Sequence, residues 1–384
     1  MDMKIMRFGI IGLGLMGREF ASSVARWCHL SAFDIKPEII AICDRNPDAF
    51  SWFQQSCSGI EQKTTDYQKL LQNDQVEAVF IAVPHHLHEE IYCAAIRAGK
   101  HIMGEKPFGI DLGANRAILK TASEHPQVFV RCTSQFPFFP AVQKLCSYIE
   151  EDQLGRLLEV SAGFLHSSDL DPKKPINWKR MIRYNGEYGC MGDLGMHVCH
   201  VPFRAGWRVA NLRAVLSDIV THRPDAAGNP VACETWDNAT LFCETTDKNG
   251  TLFPMTLKMH RIAPGHKNTW YLDVWGTKTS LRFSTKYPKT LQILHYRGGD
   301  QNWQNMDTGF ETAYKTITGS IFEFGFTDAW LQMWAAFVNE LQHGSPEKLF
   351  ATCVTPEETN LGHRLFTAAL ASHKHQKTVN MLNE

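Results

Sequence analysis

The chain has 384 residues, of which 44% are hydrophobic and 21% charged, and its net charge is −1 at pH 7. This composition is typical of a globular protein long enough for two domains, and the balanced charge excludes a global basic field for nucleic acid or a membrane surface. The apolar runs are too short to span a bilayer, no secretory signal is apparent, and the 11 cysteines follow no repeated C-x-x-C spacing. We therefore expect a cytoplasmic protein without disulfides.

An apolar strand predicted over residues 5–11 leads directly into the motif Gly12-Leu13-Gly14-Leu15-Met16-Gly17, and a helical pattern follows. In this context Gly12 allows a tight turn, Gly14 lets the backbone approach a pyrophosphate, and Gly17 lets the helix pack against the strand. The amino end of the helix offers free N–H groups and the positive end of its dipole to phosphates. These six residues are predicted to bind a dinucleotide; the alternative is an ordinary glycine-rich turn without a ligand.

The sequence up to about residue 133 alternates strand and helix signals. Helical patterns lie at 65–71 and 87–98, between apolar runs that predict strands at 39–43, 76–83, 101–103 and 128–130. Strands that alternate with helices favour a parallel sheet covered on both faces, with ligands at the carboxyl ends of its strands. The predicted fold class of this part is therefore α/β, of the dinucleotide-binding type.

Beyond residue 133 the pattern changes. The segment Phe136–Pro140 is rich in proline and aromatic residues and is a candidate hinge. Alternating segments separated by turns predict a mostly antiparallel sheet, with strands at 157–164, 212–216, 239–244, 254–259, 271–275 and 290–294. A helical stripe over Ala329–Gln342 is expected to lie in the core, and a capping box at Thr355–Glu358 opens a helix through Leu370.

The second predicted strand ends at Asp44, the position from which a dinucleotide-binding fold contacts the adenosine ribose. A carboxylate accepts hydrogen bonds from the ribose hydroxyls and repels a 2′-phosphate, which favours NAD over NADP. Two features leave NADP open: Asp44 lies 32 residues after Gly12, beyond the usual spacing, and the adjacent Arg45 can hold a 2′-phosphate. The alternative for Asp44 is a turn residue before Asn46.

Further motifs follow in chain order: Ala82-Val83-Pro84-His85-His86-Leu87-His88, the stretch Gly99–Pro107 that ends in Glu105-Lys106-Pro107, and Gly192-Asp193-Leu194-Gly195-Met196-His197. Together with the glycine motif they resemble the Gfo/Idh/MocA family, the relatives of glucose–fructose oxidoreductase and inositol dehydrogenase. The resemblance covers the whole chain. It is strongest over residues 5–135 and 175–206 and thin from residue 207 onward.

The resemblance implies a Rossmann NAD(P)-binding domain over residues 1–133. It implies a substrate-binding and oligomerisation α/β domain over residues 134–384, with an open, mostly antiparallel sheet. The implied cofactor is NAD, with NADP left open, and the implied reaction moves a hydride between the nicotinamide and a secondary hydroxyl or ketone of a sugar, glycoside or cyclitol. A homodimer or homotetramer is expected, since the open sheets of relatives pair between subunits. Besides the glycine motif, the residues assigned to the cofactor are Asp44, Arg45, Val83, Pro84, His88, Glu105, Lys106 and Gln135.

Oxidation of a secondary alcohol needs a base for the hydroxyl proton and a positive charge or donor for the developing alkoxide. Asp193 and His197 are spaced i, i+4, so that a helix places them on one face, and histidine accepts protons near neutral pH. The resemblance implies His197 as the base, Asp193 as a partner or proton relay of the substrate hydroxyl, and Lys106 as the group that polarises the same oxygen. The alternative is a core histidine satisfied by Asp193.

Two departures from the family concern this region. His200 stands where relatives often carry an aspartate, and Asp193, His197 and His200 on one helix face would offer zinc ligands. Zinc is unusual in this fold, so we expect no metal. Phenylalanines stand in Phe136–Pro140 where relatives commonly carry an arginine, which implies a lost substrate contact or a more apolar pocket wall.

Substrate contacts are predicted for Lys106, Asp193 and His197, and also for His166, Trp178 and Arg180. A tryptophan face suits stacking of a sugar, and basic groups suit hydroxyls or an anionic substituent; the alternative is a solvated basic loop. Two rival functions remain. An NAD-dependent glycosidase oxidises its substrate transiently, eliminates the aglycone and reduces the sugar again, whereas a non-catalytic sensor only binds the dinucleotide.

Overall fold

The computed structural model describes residues 3–31, 33–344 and 348–381, which belong to two compact units. The first unit comprises the chain up to Phe138 together with Thr312–Thr359, and the second comprises Phe139–Glu311 together with the chain from Asn360 onward. The predicted division at residue 133 assigned everything beyond it to one domain. In the structure Thr312–Thr359 belong to the first compact unit, and the predicted domain division stays a prediction.

The first unit is built on a parallel sheet. Its strands are β1 (Lys4–Ile11), β2 (Ile35–Cys43), β3 (Gln62–Thr64), β4 (Ala78–Ile81), β5 (His101–Gly104) and β6 (Val130–Cys132). Their order is β3-β2-β1-β4-β5-β6, and each of these pairings is parallel. This is the order of the Rossmann fold, in which ligands bind outside the carboxyl ends of the strands where the order reverses, beside β1 and β4. The fold predicted for this part of the chain is confirmed.

Helices of the first unit lie between these strands: α1 (Leu15–Ala25), α2 (Phe50–Ser56), α3 (Tyr67–Leu71), α4 (His88–Arg97) and α5 (Leu112–Glu124). Aspartates cap α3 and α5, since Asp66 accepts a hydrogen bond from the Gln68 amide and Asp111 accepts one from the Ala114 amide. These bonds satisfy N–H groups that a helix start leaves unpaired. Helix α5 was not predicted, because few of its residues are large and apolar and its hydrophobic periodicity is therefore weak.

The second unit contains helices α6 (Pro140–Glu150), α7 (Ile182–Asn185) and α8 (Cys190–Arg204). Its strands are β7 (Leu157–Leu165), β8 (Arg208–Ser217), β9 (His222–Pro224), β10 (Pro230–Ala232), β11 (Asn238–Thr246), β12 (Leu252–His260), β13 (Thr269–Gly276), β14 (Thr279–Ser284), β15 (Thr290–His295), β16 (Gln304–Asp307) and β17 (Val379–Asn380). Strands β9 and β10 pair separately. The others form one sheet in the order β16-β15-β14-β13-β7-β12-β11-β8-β17.

Only the pairing of β7 with β12 is parallel among the described strands of this sheet. The predicted open, mostly antiparallel sheet is therefore confirmed. Helix α8 packs against β7 and β12. Side chains alternate between buried and exposed along β11 and β8, and Phe242 and Val215 are among the exposed ones. The expected homo-oligomer stays a prediction.

Helices α9 (Phe326–His343) and α10 (Pro356–His375) follow late in the chain. The capping box predicted for α10 is present, because the Thr355 amide donates to Glu358 Oε2 and the Glu358 amide donates to Thr355 Oγ1. None of the helices in the described ranges combines the length and apolar character that crossing a bilayer requires.

Helix α9 explains why Thr312–Thr359 belong to the first unit. Its Trp334 is fully buried, and its ring centroid lies 3.9 Å from that of Phe20, 5.1 Å from that of Phe80 and 5.9 Å from that of Phe8. These three phenylalanines come from α1, β4 and β1. The predicted core stripe of α9 therefore completes the apolar packing on one face of the parallel sheet, although 173 residues separate Phe138 from Thr312, where the chain returns to that unit.

We expect Trp334→Ala to destabilise the first unit by about 3–5 kcal/mol, because it removes a large aromatic side chain from this packing. Urea unfolding followed by circular dichroism measures the loss. The matched control is Trp52→Ala on α2, where the tryptophan is only partly buried, and its effect is expected to stay below about 1–2 kcal/mol. Equal effects of the two substitutions would contradict this account of α9.

Candidate active site

The turn between β1 and α1 has the geometry that the glycine motif requires. Gly12 has a φ of +100°, and a Cβ there would lie 2.3 Å from the Ala82 carbonyl oxygen. A Cβ at Gly17 would lie 2.5 Å from the Gly12 carbonyl oxygen, whereas a Cβ at Gly14 would meet nothing within 4 Å. Gly14 is the N-cap of α1 and provides no side-chain cap. The space beside Gly14 is therefore open, and the backbone N–H groups of the first turn of α1 can bind an anion there.

The Asp44 carboxylate binds the same turn from the end of β2. Its Oδ2 accepts a hydrogen bond from the Leu13 amide at 2.8 Å, and its Oδ1 accepts one from the Asn46 amide at 2.9 Å. An ionised carboxylate has about four acceptor positions, so the ribose hydroxyls of a dinucleotide would still find acceptors here. Arg45 and Leu15 are exposed, and Met16 is half-buried.

His88, predicted to contact the cofactor, is fully buried. Its Nδ1 accepts a hydrogen bond from the Gly109 amide at 3.3 Å, which leaves its Nε2 to donate to the Val83 carbonyl oxygen at 3.0 Å. The imidazole therefore joins the segment after β4 to the segment after β5. In this structure the His88 ring supports the backbone of Val83, and its predicted contact with the cofactor stays a prediction. Pro84 is half-buried beside it.

Glu105, Lys106 and Pro107 follow directly after β5, at the carboxyl end of the parallel sheet. Glu105 is buried, Lys106 is half-buried, and the Lys106–Pro107 peptide bond is cis. The next residue, Phe108, is buried with a φ of +69°.

The conformation after Lys106 is stabilised from α5. Asn115 is fully buried, and its Nδ2 donates to the Phe108 carbonyl oxygen and to Thr359 Oγ1, both at 2.9 Å. Phe108 has a φ that costs a side chain on the order of 1–3 kcal/mol, so these contacts are needed to hold it. Asn115 was not predicted, because its partners are distant in sequence or lie on the backbone.

Gln135 lies beyond β6, and its side chain is buried. Its Oε1 atom has no hydrogen-bond partner in the part of the chain that the structure describes. A buried amide oxygen without a partner is costly, and a bound ligand that donates a hydrogen bond would remove that cost. Together with the open space at Gly14 and the acceptor positions of Asp44, this atom fits the predicted dinucleotide.

In the second unit, Asp193 and His197 lie on α8, one turn apart, as predicted. The helix begins after Gly189, whose φ is +57° and where a Cβ would lie 2.7 Å from the Trp236 amide nitrogen. Glycine is therefore required for the chain to enter α8 at this point. Asp193 and His197 are 5% and 6% exposed, so only small parts of these side chains reach solvent.

Two cations hold the Asp193 carboxylate. Lys179 Nζ lies 2.9 Å from both Oδ1 and Oδ2, and Arg261 Nε lies 3.6 Å from Oδ2. Arg261 is 2% exposed and also donates to the Lys179 and Gly189 carbonyl oxygens. Neither residue was predicted to belong to the site. In the basic segment around Trp178, the prediction named Arg180, the neighbour of Lys179.

His197 is held by its backbone and by aromatic packing. Its carbonyl oxygen accepts a hydrogen bond from Trp270 Nε1 at 2.9 Å, and its ring packs edge-on to Phe164 at a centroid distance of 5.5 Å. The ring of His166 lies 4.5 Å from the same phenylalanine. Thus His166, half-buried at the end of β7, and His197 flank one aromatic side chain.

Trp178 and Arg180 belong to a short 3-10 helix, Trp178–Arg180, which the Asn177 side chain caps. Trp178 is half-buried, and Lys179 Nζ lies 5.8 Å from its ring centroid. Arg180 is fully buried and forms an ion pair with the fully buried Asp237. A charge buried in this way is structural, because a guanidinium without its carboxylate would be strongly unfavourable. The substrate contact predicted for Arg180 stays a prediction, and in this structure its guanidinium is engaged in the buried pair.

His200, one turn beyond His197, points to a different environment. It is 2% exposed, and neither ring nitrogen has a hydrogen-bond partner among the described residues. Burial, with a smaller contribution from the positive charge of Arg204, lowers the pKa of His200 well below its ordinary value, so the ring is neutral at pH 7. Within residues 3–31, 33–344 and 348–381, no group of three or more His, Cys, Asp or Glu is arranged to hold a metal ion.

Residues 6–132 match the profile of the Gfo/Idh/MocA family, which is described as an oxidoreductase family with an NAD-binding Rossmann fold. The levoglucosan dehydrogenase of Pseudarthrobacter phenanthrenivorans is 27% identical to this chain over 335 residues, which cover 84% of this chain and 83% of that protein. The glucose-6-phosphate 3-dehydrogenase of Bacillus subtilis is 26% identical over 222 residues, which cover 57% of this chain and 60% of that enzyme.

A solved structure of levoglucosan dehydrogenase in complex with NADH superimposes with a TM-score of 0.86 at 23% identity, covering 98% of this chain and 99% of that one. At this identity the likeness concerns the fold. It extends over both units of the chain, whereas the family profile covers the Rossmann part alone.

We expect Gly14→Ala to leave the melting temperature nearly unchanged, because the added methyl group would meet no protein atom within 4 Å. It should weaken NAD binding at least roughly tenfold, since the methyl group occupies the space through which a pyrophosphate approaches the backbone. Calorimetric titration with NAD and thermal melting measure the two effects. Gly12→Ala is the matched control and should instead unfold the turn, because its Cβ would meet the Ala82 carbonyl. Unchanged NAD affinity in Gly14→Ala would contradict the assignment.

Proposed function

We propose that this chain, a member of the Gfo/Idh/MocA oxidoreductases, is an NAD-dependent dehydrogenase that interconverts a secondary hydroxyl and a ketone on a sugar or cyclitol. The observation that carries the proposal is the pair formed by Asp193 and His197 on α8, in which a carboxylate held by two cations lies one turn from an imidazole. The sugar dehydrogenases among the relatives support the substrate class.

The first unit contributes cofactor binding. The open approach at Gly14 would receive the pyrophosphate, Asp44 would accept hydrogen bonds from the adenosine ribose, and Gln135 Oε1 would accept one from the cofactor. When bound, NAD supplies the acceptor for the hydrogen that leaves the substrate carbon with its electron pair. Lys106 donates a hydrogen bond to the substrate oxygen and stabilises the negative charge that develops there.

The second unit contributes the base. His197 accepts the proton of the substrate hydroxyl as the carbon–oxygen double bond forms. In the reverse direction it returns that proton to the oxygen of the ketone. Asp193 accepts a hydrogen bond from the substrate, and Trp178 and His166 line the sugar-binding side.

We expect His197→Gln and Lys106→Met each to lower kcat/KM for the best sugar at least roughly a hundredfold, the effect of losing a general base or an electrostatic group. Formation of NADH at 340 nm, in a screen of sugars and cyclitols, measures the rates. Lys120→Met, at an exposed position on α5, is the matched control and should keep full activity. If His197→Gln and Lys106→Met both retain normal turnover, the assignment of these residues to the active site is wrong.

The Asp44 carboxylate is proposed to select NAD, because a carboxylate repels the 2′-phosphate of NADP. We expect Asp44→Asn to lower the ratio of kcat/KM with NAD to kcat/KM with NADP by roughly tenfold or more. Asparagine keeps an oxygen that accepts from the Leu13 amide, so the turn is preserved. Steady-state kinetics with both cofactors test this prediction, and an unchanged ratio would show that Asp44 does not discriminate between the two cofactors at the ribose.

A further inference from the structure

Lys179 forms a close ion pair with the Asp193 carboxylate. Its ammonium nitrogen lies 2.9 Å from each of the two carboxylate oxygens, so that one cation bridges both oxygens and neutralises their charge. The lysine side chain is 39% exposed, whereas the carboxylate is 7% exposed. The cation therefore covers the carboxylate on the side that faces solvent.

The backbone of Lys179 is also tied to the helix that carries Asp193. The Lys179 carbonyl oxygen accepts hydrogen bonds from Thr235 Oγ1 at 2.8 Å and from Arg261 Nη1 at 3.1 Å. The same Arg261 donates to the carbonyl oxygen of Gly189, the residue at the start of α8. Because the main chain of Lys179 is anchored in this way, its ammonium reaches Asp193 from a defined position.

The charges around this pair come from several elements. Arg261, after β12, lies on the buried side of Asp193, and His197 lies one turn along α8. Further carboxylates lie nearby but have their own cations, since Asp237 pairs with Arg180 and Asp169 pairs with Lys174 and Arg180. Burial alone would raise the pKa of Asp169, yet the hydrogen bond from Lys174 and the neighbouring positive charges lower it.

From this geometry we propose that Lys179 is a positioning residue, which orients the Asp193 carboxylate and keeps it ionised so that the substrate proton goes to His197. The inference rests on the proposed dehydrogenase function. With both oxygens paired to a cation, Asp193 is a poor proton acceptor and a well-oriented hydrogen-bond acceptor. Without Lys179, the carboxylate loses its closely paired cation while the longer contact to Arg261 remains, and it competes with His197 for the proton.

Lys179→Met tests the proposal, with Lys174→Met as the matched control. Lys174 lies on the same segment, pairs with Asp169 at 2.9 Å and has a side chain that is 40% exposed, so its loss removes a comparable pair outside the proposed machinery. We expect Lys179→Met to lower kcat/KM roughly ten- to a hundredfold, the effect of a misplaced catalytic group, and Lys174→Met to leave it within about twofold.

The pH profile separates positioning from a structural role. Removal of the ammonium takes a positive charge away from His197 and exposes it to the Asp193 carboxylate, and both changes favour the protonated imidazole. The acid limb of kcat/KM should therefore move to higher pH, by roughly half a unit or more. Lys179→Arg should restore the limb, because a guanidinium also pairs with both oxygens of a carboxylate.

A double-mutant cycle shows whether Lys179 acts through Asp193. We expect Lys179→Met to add no further loss in an Asp193→Asn background, since the carboxylate that it positions is gone. Losses that multiply would overturn the proposal, because they would mean that Lys179 contacts the substrate directly. An unshifted acid limb in Lys179→Met would overturn it as well.

One measurement does not depend on activity. In protein labelled with 13C at aspartate carboxyl groups, the Asp193 signal is assigned by its loss in Asp193→Asn, and its titration midpoint should lie at higher pH in Lys179→Met than in the unsubstituted protein. An unchanged midpoint overturns the proposal even if no sugar supports NADH formation. The absence of such activity in the unsubstituted protein would instead refute the proposed function.

Discussion

The first unit depends on the close approach of three backbone segments around Gly12. The Gly12 amide donates to the Cys43 carbonyl oxygen at the end of β2, and the Ala82 amide donates to the Ile11 carbonyl oxygen at the end of β1. A Cβ at Gly12 would collide with the Ala82 carbonyl. Because the ends of β1, β2 and β4 meet at this point without side chains between them, the first turn of α1 and the Asp44 carboxylate are brought to the same edge of the sheet.

Features that depend on a few neighbouring residues were predicted correctly from the sequence. The roles of Gly12 and Gly17 depend only on the turn that joins one strand to the next helix, and the capping box of α10 depends on four consecutive residues. The return of Thr312–Thr359 to the first unit could not be predicted in the same way. The apolar stripe on α9 indicates that this face of the helix is buried, but it does not indicate which apolar surface covers it. The packing of Trp334 on Phe20 identifies that surface as one face of the parallel sheet.

The second unit shows a similar limit at the level of single side chains. Lys179 and Arg180 are adjacent basic residues in one short helix, so composition does not distinguish them. The turn directs Arg180 into a fully buried pair with Asp237 and leaves Lys179 half-exposed beside Asp193. A guanidinium suits the buried position, since it is less strongly hydrated than an ammonium and has more donors to share among carboxylates and carbonyls. The chemical difference between the two residues therefore agrees with their positions, although it did not allow the positions to be predicted.

His88 shows that a residue of a predicted cofactor motif can have a structural role. The Gly109 amide can donate only to an unprotonated ring nitrogen, so Nδ1 is the acceptor and Nε2 carries the hydrogen that the Val83 carbonyl oxygen accepts. The ring is stacked on Tyr92, whose hydroxyl donates to the Glu105 carbonyl oxygen just before Lys106. A chain of contacts thus leads from the segment after β4 to the segment that carries Lys106, and it depends on a neutral imidazole of one tautomer. Such a role requires histidine as strictly as a ligand contact does, which is why the sequence motif alone could not separate the two.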